Sequence, residues 1–278
     1  MNKSVLLGTV ALGVALAANA DEQLWGFVRG AETLPKGRAE AYQFITYRAG
    51  KDTGSYHSFD FDTEIEYGFT DQFQASFAVV NHYNYNQGVD GLDDSNKYNF
   101  GGVESSVKYR LLSPFKDGIG LALRLEGGYL VHDEVGGLDQ KEWYVAPEID
   151  LQKNFFDDTL ITVLNLGAEW AWGKQPAEEY PREVSLQGGV GVAYRFAPNW
   201  FVGVEGKARS EYPLFDLNRF EHLVVNVGPS LHYSSKNWWV TLTWVNQVWG
   251  DEVDPTTSGK AYAEEVDNQV RLKIGFNF

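Results

Sequence analysis

The chain of 278 residues has no cysteine and a single methionine. Without thiols there is no disulfide, zinc ribbon, iron–sulfur cluster or thiol nucleophile. Basic residues are scarce, 23 Lys and Arg against 38 Asp and Glu, giving a formal net charge of −15. A chain with no basic cluster cannot neutralise phosphates, so nucleic acid is excluded as a partner. Long apolar runs are missing too. The longest, residues 5–18 (VLLGTVALGVALAA), is shorter than the ~20 residues a spanning helix needs. It follows Lys3 and ends in Ala18-Asn19-Ala20, the pattern of a signal peptide cleaved after Ala20. No cysteine is present for a lipid anchor. The sequence also lacks a G-x-S-x-G elbow, a D-x-D-x-D-G calcium loop and any recognisable cofactor motif.

What the chain has in excess is aromatic residues (15%) and glycine (29 residues), a bias toward strands. Period-two alternation dominates beyond residue 38. Phe59, Phe61, Thr63, Ile65, Tyr67 and Phe69 share one face, and Asp60, Asp62, Glu64 and Glu66 the other. A helix would mix these sets around its circumference; a strand separates them. The same pattern recurs to the C-terminus. Tight turns such as Thr70-Asp71-Gln72 and Ala197-Pro198-Asn199 alternate with longer polar stretches at 87–99, 133–140, 173–182, 212–220 and 251–264. Short turns at one end and long loops at the other predict an all-β, antiparallel up-and-down transmembrane β-barrel. Counting from residues 38–50 gives twelve strands, with fourteen as the alternative. Residues 21–37 form a separate N-terminal segment that is expected to be a short extra strand or to lie in the lumen or periplasm.

Only a closed sheet satisfies every backbone group within hydrocarbon, so the apolar face should meet outer-membrane lipid and the polar face the lumen. The inward set predicted from alternation holds Asp60, Asp62, Glu64, Glu66, His82, Glu104, Lys108, Arg110, Arg124, Glu126, Glu148, Asp150, Glu169, Arg195, Glu205, Lys207, Arg209, Arg271 and Lys273. Aromatic residues gather toward strand ends, as interfacial girdles do.

Two stretches carry resemblances. The last strand places Val270, Leu272, Ile274, Phe276 and the terminal Phe278 on one face. This resembles the C-terminal signature of outer-membrane barrels, which implies the barrel-assembly machinery as a partner. Residues 29–40, with Thr33-Leu34-Pro35-Lys36-Gly37 at their centre, and the later Tyr67-Gly68-Phe69-Thr70-Asp71 resemble a family of uncharacterised bacterial outer-membrane barrel proteins. The resemblance implies the architecture and no activity. Locally, Pro35 and Gly37 predict a tight turn.

The functional expectation is a narrow, porin-like pore for small solutes, with cation preference from acidic residues toward the loops. A mixed-charge lumen disfavours an anionic oligosaccharide pore. Two other readings stay open: a salt-bridged, largely plugged structural or surface-interaction barrel, and a barrel hydrolase. For the last, Asp60 is expected opposite His82, both inward, where a carboxylate orients a general base, but no serine completes a triad. His222 and His232, ten residues apart on one strand, are too distant for one metal.

Overall fold

In the computed structural model, residues 23–174, 182–253, 259–262 and 265–278 are described. The expected signal peptide, with its cleavage site after Ala20, lies outside them. Twelve strands follow one another: β1 (Ala39–Ala49), β2 (Ser55–Thr70), β3 (Phe73–Gln87), β4 (Ser95–Leu112), β5 (Gly120–His132), β6 (Asp139–Phe155), β7 (Leu160–Lys174), β8 (Arg182–Ala197), β9 (Trp200–Pro213), β10 (His222–Ser234), β11 (Trp238–Glu252) and β12 (Asn268–Asn277). Each pairs with the next, and β12 returns antiparallel to β1, so the sheet closes as a barrel. The expected twelve-strand count and fold class are borne out.

Alternation sets the two faces of the wall. In β2, Ile65 is 60% exposed on the outside while its neighbours Glu64 and Glu66 are 8% and 4% exposed inside. A one-residue slip would exchange these sets, so register is firmly specified. The outward residues form the continuous apolar band that hydrocarbon requires. Exposed Phe69, Tyr109, Tyr194, Phe196, Trp200 and Trp238 ring the turn end, and Tyr98, Trp143, Trp170, Trp172 and Trp249 the loop end. Leu123, 46% exposed, is on this outer face, whereas Ser106 faces inward beside Ser76 (Oγ to Oγ 2.8 Å). Leu123→Arg is therefore expected to lower folding stability in lipid by ~2–4 kcal/mol near midplane, and Ser106→Arg by less. Equal losses in urea titrations of lipid-inserted protein would contradict the facing assignment.

The tight turns cluster at the end where β1 begins. One connection there is longer than expected: residues 113–119 form a turn in which the Lys116 and Asp117 N–H groups donate to the Ser113 carbonyl at 3.2 and 2.8 Å. The predicted turn at Pro35 is present. The Arg38 N–H donates to Pro35 O (3.1 Å), and Gly37, with φ of +80°, donates to Gly68 O (2.7 Å). A side chain at Gly68 would press to 2.4 Å from the Pro35 carbonyl, so this glycine is required by the close approach.

Candidate functional site

Residues 23–34 lie inside the barrel as a plug near its turn end. Leu24, Trp25, Val28 and Ala31 are at most 2% exposed. The first three pack with Ile161, Val163, Ala193 and Phe201, an apolar patch on the inner wall. Lumen-facing glycines make the space. A Cβ at Gly191 would meet Trp25 at 2.7 Å and Val28 at 2.8 Å, and one at Gly189 would meet Val28 at 2.6 Å. Gly191→Leu is thus expected to expel the plug without altering any charge. The readout is protease cleavage within residues 23–34 of the folded barrel, faster than in wild type.

A buried peptide must satisfy its backbone groups, and lumen side chains do so here. Glu205 accepts from three successive N–H groups, Gly26 at 2.7 Å, Phe27 at 2.8 Å and Val28 at 3.0 Å. Asn165 accepts from Arg29 N–H, and Gln152 from Ala31 N–H, each at 2.8 Å. Lys108 donates to Gly30 O at 2.6 Å, Lys273 to Trp25 O at 3.1 Å and Arg271 to Gly26 O at 3.3 Å. Arg110 pairs with Glu32. Lys207 and Arg271 both lie 4.3 Å from the centre of the Phe27 ring, an arrangement with cation–π attraction.

Most of the predicted basic lumen residues therefore do not stand as free charge rings; they clasp the plug or carboxylates. Lys108 also pairs with Asp150 at 3.6 Å, and Arg124 with Glu126 and Glu148. Arg195 sits at the turn end, donating to Asp157 O at 2.7 Å. Among the acids, Glu66 bonds Gln74, and Asp62 and Glu64 face inward on β2. The residues of the predicted assembly signal lie outward on β12, with Phe276 and Phe278 52% and 66% exposed.

Above the plug is a chamber of about 420 Å³. Its floor is Phe27 and Val28. The loop residues Asp133, Glu134 and Val135 fold over it, as do Glu265 and Val266. Asn84 holds this roof by donating to Glu134 O (2.7 Å) and Val135 O (3.1 Å). The walls add Glu104, Glu126, Glu142, Glu148, Glu169, Glu183 and Glu211, while the lining cations are Arg48, Lys207 and Arg209. Arg209 is engaged by Glu211 (2.6 Å), Glu169 (3.2 Å) and Glu183 (3.8 Å). Neither Glu104 nor Glu142 has a cationic group in ion-pair range among the described residues. Glu142, Glu183 and Glu211 were missed in sequence because they lie at strand ends, where polar residues read as loop. Arg48 was missed too, although its inward parity on the first strand was readable.

Crowding at the mouth disfavours the charge of Glu134, whose side chain stays 46% exposed, but Arg48 (2.9 Å), helped by His82, outweighs this and holds its carboxyl down at about 2. A carboxyl so depressed contributes stability at and above its ordinary range and loses it only as pH falls toward 2. Acidification to pH 5 is expected to leave this roof contact in place, as amide exchange of residues 133–136 would report.

Asp60 and His82 do face one another, with Oδ1 to Nδ1 at 2.9 Å. Arg48 takes the other Asp60 oxygen at 2.9 Å. The Nε2 edge of His82 is blocked: a Cβ on Gly101 would come within 2.4 Å of it. The pair is packed into the wall, each residue 2% exposed. His132 bonds Phe100 O (2.7 Å) and Asp139 (3.0 Å) at the rim. Glu183, Glu211 and Glu221 bring carboxylate oxygens within 4.8 Å of one another.

No curated protein matches the sequence. Among solved structures, the chain is similar to the COG4313 outer membrane channel from Pseudomonas putida F1, at 12% identity over 89% of this chain and 98% of that chain, with a TM-score of 0.63. The NanC porin is similar at 11% identity over 85% and 98%, with a TM-score of 0.54. The β domain of the Bordetella autotransporter BrkA is similar at 11% identity over 87% and 99%, also with a TM-score of 0.54. At such identities the likeness is one of fold. The sequence itself is matched from residue 17 to residue 278 by the family described as "Family of unknown function (DUF6662)", and to that family the chain belongs.

Proposed function

We propose that the protein is an outer-membrane channel for small cationic solutes, closed at rest by its own N-terminal segment. One observation carries this reading. The lumen is an acidic chamber whose inner wall is a peptide held by side chains alone, so the wall can leave without breaking any strand pairing. Carboxylates concentrated in a low-dielectric passage raise the local cation concentration and repel anions. Two of the similar barrels, a channel and a porin by description, are compatible with transport. The location in the outer membrane rests on the closed barrel, the apolar outer band and the likeness to outer-membrane barrels.

In planar bilayers, the purified barrel is expected to open rarely, with a reversal potential in a KCl gradient on the potassium side. Anion preference in the open state would refute the cation reading. The closed roof and floor favour one rival, a permanently plugged barrel with a structural role. That rival gains if neither the wild type nor a plug-release variant conducts.

A further inference from the structure

We propose that the chamber above the plug binds a small linear polycation of the aliphatic polyamine class. The proposal deepens the channel reading by naming its solute, and it is tested on the closed barrel at equilibrium, so the two can fail separately.

Three observations lead to it. First, Glu104 and Glu142 line the chamber without a cationic partner among the described residues, whereas the neighbouring Glu126, Glu148, Glu169 and Glu211 all have one. Half-buried carboxylates standing together on a cavity wall without a counter-charge favour a bound cation, since like charges crowded at one site disfavour their own ionisation.

Second, Asn226 lines the chamber from the other side. It is 0% exposed, and neither its amide oxygen nor its amide nitrogen has a hydrogen-bond partner among the described residues. Buried side-chain amides are nearly always paired. A buried side chain open on both atoms at a cavity wall offers a donor and an acceptor to a polar ligand group. Its oxygen can accept from an ammonium.

Third, the geometry selects among cations. A hard metal ion gathers oxygens at about 2.3–2.6 Å around one point. The one carboxylate group among the described residues that converges this closely is Glu183, Glu211 and Glu221, and it includes neither Glu104 nor Glu142. Those two stand on β4 and β6, with Asn226 across the ring on β10. Acceptors on opposite walls suit charges spaced along a chain. Leu130, Ala171 and Val224 line the same space and give methylene groups apolar contact. The volume of about 420 Å³ suits a small molecule.

The test is equilibrium binding of spermidine to the folded, detergent-solubilised full chain by titration calorimetry at fixed ionic strength. Saturable binding is expected, unaffected by replacing part of the potassium with magnesium at equal ionic strength. The double variant Glu104→Gln/Glu142→Gln is expected to weaken it by about tenfold or more. Asn226→Leu should weaken it as well, while Asp90→Asn, on an exposed loop, should not. Absence of saturable binding, equal displacement by magnesium, or an equal loss in Asp90→Asn overturns the proposal. The magnesium competition uses wild-type protein alone and does not depend on how the variants fold. Conductance that persists without spermidine binding defeats this proposal and leaves the channel reading standing. Spermidine binding in a barrel that never conducts does the reverse.

Discussion

Replacing Glu205 with leucine is expected to turn a barrel that rarely opens into one that conducts for most of the recording. The Glu205 carboxylate accepts three plug N–H groups and is 1% exposed. Leucine accepts none. Each buried donor left unmade costs about 1–3 kcal/mol, and every ~1.4 kcal/mol shifts an equilibrium tenfold. Three such losses move the balance between plug in and plug out by orders of magnitude. Once released, the segment's amides find water, so the cost of the missing acceptor falls on the plug-in state alone. Glu205→Gln keeps one acceptor oxygen and should fall between the two. Single-channel recording decides the matter: a Glu205→Leu trace as quiet as the wild type would mean that the plug is not the barrier.

The second large effect is on stability. Trp25 is fully buried between the inner wall and its own segment. Trp25→Ala removes the largest side chain of that cluster and leaves a cavity that the rigid wall cannot collapse to fill. The expected loss is about 3–5 kcal/mol, measured as a lower urea midpoint of the lipid-inserted barrel. It should appear as a separate early transition if the plug melts before the wall, because no strand pairing depends on it. A midpoint unchanged within error, with residues 23–34 still protected from exchange, would show that Trp25 is not the anchor.

The wall was legible in sequence because a strand with water on one side and hydrocarbon on the other writes its facing into every second residue. Phe59 to Phe69 on the outside and Asp60 to Glu66 on the inside needed no tertiary information. The plug was not legible. Leu24, Trp25 and Phe27 follow neither a two- nor a 3.6-residue period, and their partners lie far along the chain, Glu205 among them. The same distance hid the meaning of the lumen charges. Alternation placed Lys108, Arg271 and Lys273 inside but could not say that they solvate the carbonyls of Gly30, Gly26 and Trp25. The two motif stretches around Thr33–Gly37 and Tyr67–Asp71 stand about thirty residues apart in sequence. In the fold they are one corner: Thr33 Oγ1 donates to Asp71 O at 2.9 Å, and Lys36 N–H to Asp71 Oδ1 at 3.0 Å. A turn before the first strand and a turn after the second read as separate stretches until the barrel wall brings them together.

That corner and the span of the plug have a mechanical consequence. A hydrogen-bonded tube resists stretching along its strands but ovalises easily, since flattening only changes the angles between neighbours. Residues 23–34 are tied to β11 at Thr241 and to β3 at Gln74, with fastenings to β9, β7, β6 and β4 between. They act as a strut bonded along the inner wall from strand to strand. With the strut seated, the bilayer's lateral pressure meets a stiff ring. With it withdrawn, the ring should breathe, and the open passage should vary in width under membrane tension as a rigid pore does not.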